Sequence, residues 1–383
     1  MPHKKEAWKE ECYGDEVREK LLEFAEKGWE SIPEDERDEW FTRFKFWGIF
    51  HQRSGQESYF MMRLTNASGV LEPGQLRAIG EVARDYATGP VENPEFGNGW
   101  IDLTTRQSVQ LHWIKLEDVP AVWEKLEAAG VSTRSSGGDT MRNISGCPVA
   151  GKDEHELVEA RPLLDRFQEE LRGDDDLANM PRKFNISVTG CREGCAQDSI
   201  NDVGIEPARK EIDTAEETSA SNRNSTSSGD GEETLGFNVR VGGGLGGRKP
   251  RRARSLDIFV TPEEAYDVVS GFVNLYHDYG NREVRSKNRS RFFVDEWGTE
   301  EIREVLQEEY VDFELRTAGE DVREEYTYNA GKPPEAGKAD HVGVHEQVDG
   351  RYYVGLSVAV GRLSAEDAIG LAALAGEYGS GEV

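Results

Sequence analysis

The sequence predicts an α+β fold, and three observations support this prediction. Between residues 58 and 130, strand and helix patterns follow each other in the order strand, helix, strand, strand, helix. A longer segment, residues 136–318, mixes further helices with strands. The last part of the chain, residues 341–383, repeats the beginning of the first unit. We therefore expect a half-domain, a second domain and the start of a second, pseudo-symmetric half-domain.

Residues 1–45 are predicted to form an N-terminal helical segment, because residues 16–30 place apolar side chains at helical spacing. Residues 46–135 are predicted to form a half-domain whose element order is that of a ferredoxin-like unit. The strand pattern begins at Ser58, and a turn follows near Gly69. The other elements expected there are a helix over residues 76–86, a strand hairpin over residues 100–115 and a helix over residues 118–130.

The second domain contains one segment of unusual composition, residues 209–233, which is rich in Ser, Thr, Asn, Asp and Glu. Such a segment cannot bury enough apolar surface to offset its ordering entropy, so we predict an exposed, disordered insertion. Residues 319–340 are predicted to be a polar linker. The other elements expected in the second domain are helices over 154–172, 262–280 and 299–310 and strands over 184–189, 235–241 and 256–260.

Residues 64–89 align with residues 356–381, at a shift of 292 residues, with six identities and no gap. Because these identities fall on the same turn and helix positions, we expect a duplicated half-domain. The second copy stops at Val383, before the counterpart of the next strand pair, which would leave an open sheet edge. We therefore expect an N-terminal portion of a longer protein, or a chain completed by another chain. The identical pairs are Leu64 and Leu356, Gly69 and Gly361, Leu71 and Leu363, Ala83 and Ala375, Tyr86 and Tyr378, and Gly89 and Gly381.

The chain is strongly acidic, with 74 Asp and Glu residues, 46 Lys and Arg residues and a formal net charge of −28. This charge argues against nucleic-acid binding, which needs a basic face. It is typical of adaptation to a high-salt cytoplasm, where ions screen self-repulsion, and the alternative is an acidic mesophilic protein. No apolar run approaches the roughly 20 residues of a membrane span, and the N-terminus lacks a signal-peptide core. We expect a halophilic, cytoplasmic protein with no membrane or nucleic-acid partner.

Positive charge is therefore scarce, and a few basic or amide-bearing positions stand out. Arg106 lies in LTTRQSVQLHW, where alternation places it on one strand face with Gln110. Arg142 lies in a Gly-rich loop, and Lys183 and Asn185 are two residues apart in PRKFNIS, on one face of a strand. Two arginines and a lysine that converge on one pocket bind a small anion and supply protons for its reduction. The alternative for each arginine alone is a solvated or ion-paired surface position.

Residues 241–247, VGGGLGG, form a glycine run followed by several cations, and a second basic cluster spans residues 282–291. A backbone nest flanked by cations indicates a polyanionic cofactor, and the run lacks the GxGxxG spacing of a dinucleotide site. Cys147, Cys191 and Cys195 provide three thiols, one fewer than a four-thiolate cluster needs. They are interpreted as structural, and the alternative is a subunit that uses them to carry electrons.

Several motifs in the same order resemble the N-terminal half of the nitrite and sulfite reductases that contain sirohaem and a [4Fe–4S] cluster. These motifs are GIFHQR, SYFMMRL, LTTRQSVQLHW, MRNISGCPVAG, MPRKFNISVTG, INDVG and GFNVRVGGGLG. The resemblance begins near residue 45, runs to the end of the chain and leaves residues 209–233 unmatched. It implies that residues 136–318 form a sirohaem-binding domain. It also agrees with the repeat, because two pseudo-symmetric halves enclose the cofactors in this family.

The resemblance implies reduction of a small oxyanion at the sirohaem, with reduced ferredoxin as the electron donor. It implies that the cluster-binding cysteines lie in a C-terminal half outside this chain, so no metal ligand is expected here. Asn185 matches the ferredoxin-type nitrite reductases, whereas sulfite-reducing members have a second lysine there. Nitrite reduction to ammonium is therefore the expected activity. The alternatives are sulfite reduction and a non-catalytic sirohaem-binding or electron-carrier subunit.

These arguments define two sets of predicted site residues. The predicted catalytic residues are Arg106, Arg142, Lys183 and Asn185, and the predicted cofactor-binding residues are Arg53, Arg63, Arg106, Gln110, Arg142, Asn143, Lys183, Gly242, Gly243 and Gly244.

Overall fold

A computed structural model describes residues 3–52, 58–90, 92–154, 156–172, 174–191, 193–212, 232–246, 249–322 and 341–383. Arg53, most of the predicted insertion (213–231) and most of the predicted linker (323–340) lie outside the described residues.

The helices and strands belong to an α+β fold, as predicted. The helices are α1 (Lys4–Glu11), α2 (Glu16–Lys27), α3 (Arg37–Arg43), α4 (Pro73–Tyr86), α5 (Val119–Ala128), α6 (Arg161–Arg166), α7 (Ala265–Tyr279), α8 (Ser290–Trp297), α9 (Thr299–Val305) and α10 (Ala365–Tyr378). The strands are β1 (Ile49–His51), β2 (Tyr59–Arg63), β3 (Trp100–Leu103), β4 (Val109–Lys115), β5 (Ile186–Val188), β6 (Val203–Ile212), β7 (Glu232–Val241), β8 (Arg254–Val260), β9 (Glu320–Asp321), β10 (Gly343–Glu346), β11 (Tyr352–Gly355) and β12 (Arg362–Ser364).

The first sheet has the strand order β1-β2-β4-β3-β12, and all neighbouring strands are antiparallel. In β2 the side chains of Phe60 and Met62 point into the core, and their neighbours along the strand are only half-buried. The core between this sheet and the helices α2, α4 and α5 includes the fully buried Trp123. The outermost strand, β12, comes from the predicted second half-domain and pairs with β3.

The two copies of the repeat, which are 292 residues apart in the sequence, have the same local structure. A 3-10 turn at Ala67–Gly69 precedes α4, and the same turn at Ala359–Gly361 precedes α10. Ser68 and Val360, at equivalent places in the two turns, both have a φ of 50°. Helices α4 and α10 begin and end at equivalent positions and pack against each other. The duplication therefore extends from sequence identity to backbone conformation.

The second sheet has the order β5-β6-β7-β8. Strand β9 pairs with β6 on the edge opposite β7. Strands β6 and β7 form a long antiparallel hairpin that runs from the pair Val203 and Val241 to the pair Ile212 and Glu232. The predicted insertion is therefore too wide, because residues 209–212 and 232–233 belong to this hairpin. The predicted linker is also too wide, because Glu320–Asp321 forms β9.

Helix α7 packs on this sheet, and the buried side chains of the helix include Phe272 and Tyr276. The predicted helix over residues 154–172 is wrong at its start. Residues 154 and 156–160 are not helical, Glu156 forms an isolated bridge with Cys191, and α6 begins only at Arg161. No helix of the described residues is long and apolar enough to cross a membrane.

Close packing between α4 and α10 depends on Gly80. A Cβ atom at this position would lie 2.8 Å from Ile369 Cγ1 and 3.1 Å from the carbonyl oxygen of Ala365. We expect Gly80→Ala to lower the free energy of unfolding by about 1–3 kcal/mol, because the helices have to move apart. The measurement is urea unfolding at fixed high salt.

Gly370 on α10 supplies the matched control, because a Cβ atom there would meet nothing within 4 Å. Gly370→Ala is expected to keep or raise stability through better helix propensity. Equal stability of the two variants would show that the helix pair does not depend on the absence of a side chain at Gly80.

Candidate anion-binding site

The predicted catalytic residues come together in one cavity of about 210 Å³ between the first sheet and the second domain. Three arginines and a lysine contribute to its wall, and no carboxylate lines it among the described residues. The cavity is lined by Arg63, Leu64, Thr65, Thr104, Arg106, Ser108, Gln110, Ser136, Arg142, Asn143, Lys183 and Asn185.

Arg106 lies in the turn between β3 and β4, so its predicted place within a strand is wrong. Gln107, the next residue, has a φ of 56°, and its side-chain amide exchanges two hydrogen bonds with the backbone of Gly146. Asn143 Nδ2 donates to the carbonyl oxygens of Arg106 and Gln107 at 3.2 and 2.9 Å. The guanidinium Nη2 of Arg106 donates to Asn201 Oδ1 at 2.6 Å. The second domain thus fixes both ends of this arginine.

Arg63 and Gln110 are paired across strands β2 and β4. With its amide oxygen turned towards Arg63, Gln110 accepts from Nη2 and Nε at 3.1 and 3.2 Å. Arg63 Nη1 donates to the carbonyl oxygen of Ser136 at 3.2 Å, and the guanidinium lies over the Phe50 ring at 4.6 Å. This arginine is therefore held in a defined orientation without a carboxylate.

Arg142 is held by carbonyl oxygens of its own loop, because it donates to Ser136 O at 3.1 Å and to Gly138 O at 2.8 Å. Its backbone N–H donates to Phe184 O at 2.9 Å, which places the loop beside Lys183. Lys183 and Asn185 precede β5 rather than lying within it, so the strand predicted over residues 184–189 is too long. Both side chains nevertheless line the cavity.

Asn185 is 4% exposed and bound to Asp202. Its backbone N–H and its side-chain Nδ2 both donate to Asp202 Oδ2, each at 2.9 Å. Sequence reasoning missed Asp202 and Asn201 as site residues, although both lie in the motif INDVG. Two consecutive polar residues within an otherwise apolar segment were the available signal.

Burial and mutual repulsion change the ionisation of the cations in this wall. Burial, and then the nearby Arg142 and Arg289, lower the pKa of Lys183 to about 8, and Asp202 opposes this shift. Burial followed by Arg63 lowers the pKa of Arg142 to about 9. Burial also lowers the pKa of Arg106. The wall is therefore cationic at neutral pH, and it is destabilised by its own charge.

Several donors of this wall have no partner in the described part of the chain. Arg106 Nη1 and Arg142 Nε are buried without a hydrogen bond. The structure records no hydrogen bond or ion pair of the Lys183 ammonium with a described residue. Buried donors without acceptors are costly, so the geometry suits an anion that accepts hydrogen bonds from them.

The glycine run has a packing role that the predicted anion nest did not include. The N–H groups of Gly242 and Gly244 donate to Asp202 O and Arg251 O, so these two are not available to an anion. A Cβ atom on Gly243 would collide with the carbonyl oxygen of Asn201. The run therefore lets β7 approach the INDVG loop, and cofactor contact by these three glycines stays a prediction.

Several arginines of the two basic clusters have carboxylate partners within the protein, which the sequence did not indicate. Arg251 and Arg254 pair with Asp295, and Arg285 pairs with Asp139. Arg282 pairs with Glu6 at 3.1 Å, and Arg289 pairs with Asp202 at 2.9 Å. Most of these arginines therefore tie segments together.

Cys147 and Cys191 lie together in the core of the second domain. The thiol of Cys147 donates to the sulfur of Cys191, which raises the pKa of Cys147 and lowers that of Cys191. In the described part of the chain, no group of three or more His, Cys, Asp or Glu side chains is placed to hold a metal ion.

Comparison with known families gives two matches. The nitrite and sulphite reductase 4Fe-4S domain matches residues 137–315, which include Arg142, Lys183 and Asn185. The nitrite/sulfite reductase ferredoxin-like half domain matches residues 94–129 and 345–383. Its two segments contain β3 and β12, which are neighbours in the first sheet.

Individual proteins agree with these matches. The chain is 73% identical to the assimilatory ferredoxin-dependent nitrite reductase of Haloferax mediterranei, over 100% of this chain and 63% of that protein. It is 34% identical to the ferredoxin–nitrite reductase of Leptolyngbya laminosa, over 100% of this chain and 67% of that protein. The NirA protein of Mycobacterium tuberculosis has a similar structure, with a TM-score of 0.78 and 27% identity over 100% of this chain and 64% of that one.

The chain thus spans about two thirds of the length of the curated relatives it matches. Sequence, fold and the cationic cavity lead to one conclusion: the chain belongs to the nitrite and sulfite reductase family.

Proposed function

We propose that the protein takes part in the assimilatory reduction of nitrite to ammonium, with electrons supplied by reduced ferredoxin in the cytoplasm. The observation that supports this proposal is the convergence of three arginines and a lysine on a cavity without a carboxylate in its described lining. A small monovalent anion fits such a set of charge-assisted donors. The identity of 73% to the Haloferax mediterranei enzyme supports the same substrate and donor.

The donors of the cavity suit sirohaem, a macrocycle with carboxylates around its edge. Buried guanidinium groups with unpaired N–H donors, such as Arg106 Nη1 and Arg142 Nε, match the acceptors of such a group. Sirohaem would supply an iron that binds the oxyanion and delivers electrons to it. Of the predicted cofactor-binding residues, those that line this cavity are Arg63, Arg106, Gln110, Arg142, Asn143 and Lys183. A [4Fe–4S] cluster has no set of ligands among the described residues, and its ligands are expected outside this chain.

The chain's own residues would bind the anion and deliver protons to it. Nitrite takes up six electrons and eight protons to give ammonium and two water molecules. Lys183 is suited to proton delivery, because its pKa of about 8 lies close to neutral pH. The arginines would keep their protons and stabilise negative charge on the oxygens that leave as water.

Sulfite is the second candidate substrate, and one relative favours it. The chain is 28% identical to a ferredoxin sulfite reductase of Mycolicibacterium paratuberculosis, over 95% of this chain and 60% of that protein. Sulfite carries more negative charge than nitrite, so a further cation in the wall would favour it. Asn185, a neutral residue held by Asp202, favours nitrite.

Asn185→Lys tests this choice in a full-length version of the protein that is loaded with sirohaem and the cluster. We expect the ratio of sulfite to nitrite turnover to rise about tenfold, because the new ammonium adds a charge to the wall. The measurement is the formation of sulfide and ammonium with reduced ferredoxin. Asn185→Met is the matched control, since it adds a similar length without charge. An equal rise in both variants, or no rise in either, would refute the role of charge at this position.

The affinity for nitrite is expected to fall as the pH rises through about 8, because Lys183 then loses its charge. Below that value the lysine is protonated although burial disfavours the charge, and a bound anion relieves this cost. The measurement is the KM for nitrite between about pH 7 and pH 9.5.

Lys183→Met is expected to raise the KM and to remove its dependence on pH in this range. A parent KM that stays constant through this interval would contradict the assignment of the titrating group to Lys183.

A further inference from the structure

Asp202 does not line the cationic cavity itself, but its carboxylate is hydrogen-bonded to Asn185, which does. Its side chain is 0% exposed. Oδ2 accepts from the backbone N–H and the side-chain Nδ2 of Asn185, each at 2.9 Å. Arg289 Nη2 bridges both carboxylate oxygens at 3.0 and 2.9 Å, and Ser290 Oγ donates to Oδ1. One buried carboxylate therefore binds two segments that lie about 100 residues apart in the sequence.

The neighbouring residue extends the same arrangement to the first half-domain. Asn201 accepts from Arg106 Nη2 at 2.6 Å, and its own Nδ2 donates to Ser187 Oγ at 2.9 Å. The loop that contains Asn201 and Asp202 thus contacts two lining residues of the cavity, Arg106 and Asn185. Gly243 packs against this loop where no Cβ atom would fit. The position of this loop is therefore tightly constrained.

Asp202 also supplies negative charge to a region that is otherwise cationic. Its charge acts on Lys183 and Arg106 in the direction opposite to burial, whereas Arg289 acts on both in the same direction as burial. Arg289 and Asp202 form a buried pair, and removal of one partner leaves the other uncompensated. The ionisation of the wall therefore depends on this pair.

We propose that Asp202 is a positioning residue of the reduction site, which orients Asn185 and Arg289 and balances the charge of the cations that bind the anion. The proposal goes beyond the proposed function, and it rests on that function only for the identity of the anion. The role of Asp202 would apply equally to nitrite or sulfite.

The test is the titration of Lys183, followed through the ¹³Cε signal of labelled lysine in the protein without sirohaem. Lys183→Met identifies the signal. In Asp202→Asn we expect the pKa of Lys183 to fall by roughly half a unit to one unit, because a charge that favours the ammonium is removed. In Arg289→Gln we expect it to rise. The double variant, which removes both charges of the pair, is expected to return close to the parent.

The same shift has to appear in the sirohaem-loaded protein, as a displacement of the alkaline limb of kcat/KM for nitrite towards lower pH in Asp202→Asn. Asp139→Asn is the matched control. Asp139 is 4% exposed and paired with Arg285, but it is not among the main charges that act on Lys183. This control is expected to lose stability and to leave the titration of Lys183 in place.

A Lys183 titration that is unchanged in Asp202→Asn, together with a lower melting temperature, would overturn the proposal and leave Asp202 a purely structural residue. If Asp202→Asn does not fold, Arg289→Gln and the double variant decide the matter, because only a charge-balancing role gives opposite movements that cancel. If the titration shifts occur as expected but the protein does not reduce nitrite, the proposed function is refuted and the role of Asp202 stands.

Discussion

Repulsion among buried cations is the constraint on which the rest of this structure depends. Arg63, Arg106, Arg142 and Lys183 face one small cavity, and burial lowers the pKa of each of them. Among the described residues, no carboxylate in the wall neutralises them, and a carboxylate there would compete with an anionic ligand. Arginines of the wall donate instead to carbonyl oxygens, such as Ser136 O and Gly138 O, which bind N–H groups without removing charge. The energetic cost of this arrangement is what an anion relieves when it binds.

The two sheets are coupled because the cavity needs residues from both. Arg106 belongs to a turn of the first sheet, and its partner Asn201 lies in the loop before β6. The first sheet is itself completed by β12 from the repeat, where Arg362 forms two hydrogen bonds to Asp102 on β3, at 2.5 and 2.8 Å. Asp102 in turn contacts His112 at 2.9 Å, on the strand next to Arg106. Contacts between residues far apart in the sequence thus stabilise the turn that contains Arg106.

Local pattern in the sequence predicted the helices α2, α4, α5 and α7 and the β3–β4 hairpin, because each has a clear period and clear ends. The cations of the site were predictable for a different reason, namely that positive charge is rare in a chain of net charge −28. The parts that sequence did not predict depend on non-local pairing. The bridge between Arg289 and Asp202 spans 87 residues, and the pairing of β12 with β3 joins Arg362 and Asp102, which are 260 residues apart.

The basic clusters also depend on pairing between residues far apart in the sequence. Composition counts the cations but not their partners, so Arg251, Arg285 and Arg289 suggested a cofactor site although each has a carboxylate partner in the fold. Lys183 gave no stronger signal in the sequence, yet its ammonium lines the cavity without a hydrogen bond or ion pair to a described residue. The candidate site is therefore marked by buried cations without carboxylate partners rather than by a high local density of positive charge.

An acidic surface and a cationic cavity are compatible because salt acts on them differently. At an ionic strength of about 1 M the Debye length is only about 3 Å, so carboxylates on the surface repel an approaching anion over a short distance. Ions screen the half-buried cations of the cavity much less, because the surrounding protein excludes salt from them. High salt therefore removes the long-range repulsion that a net charge of −28 would exert on an anion, and it leaves the attraction inside the cavity largely in place.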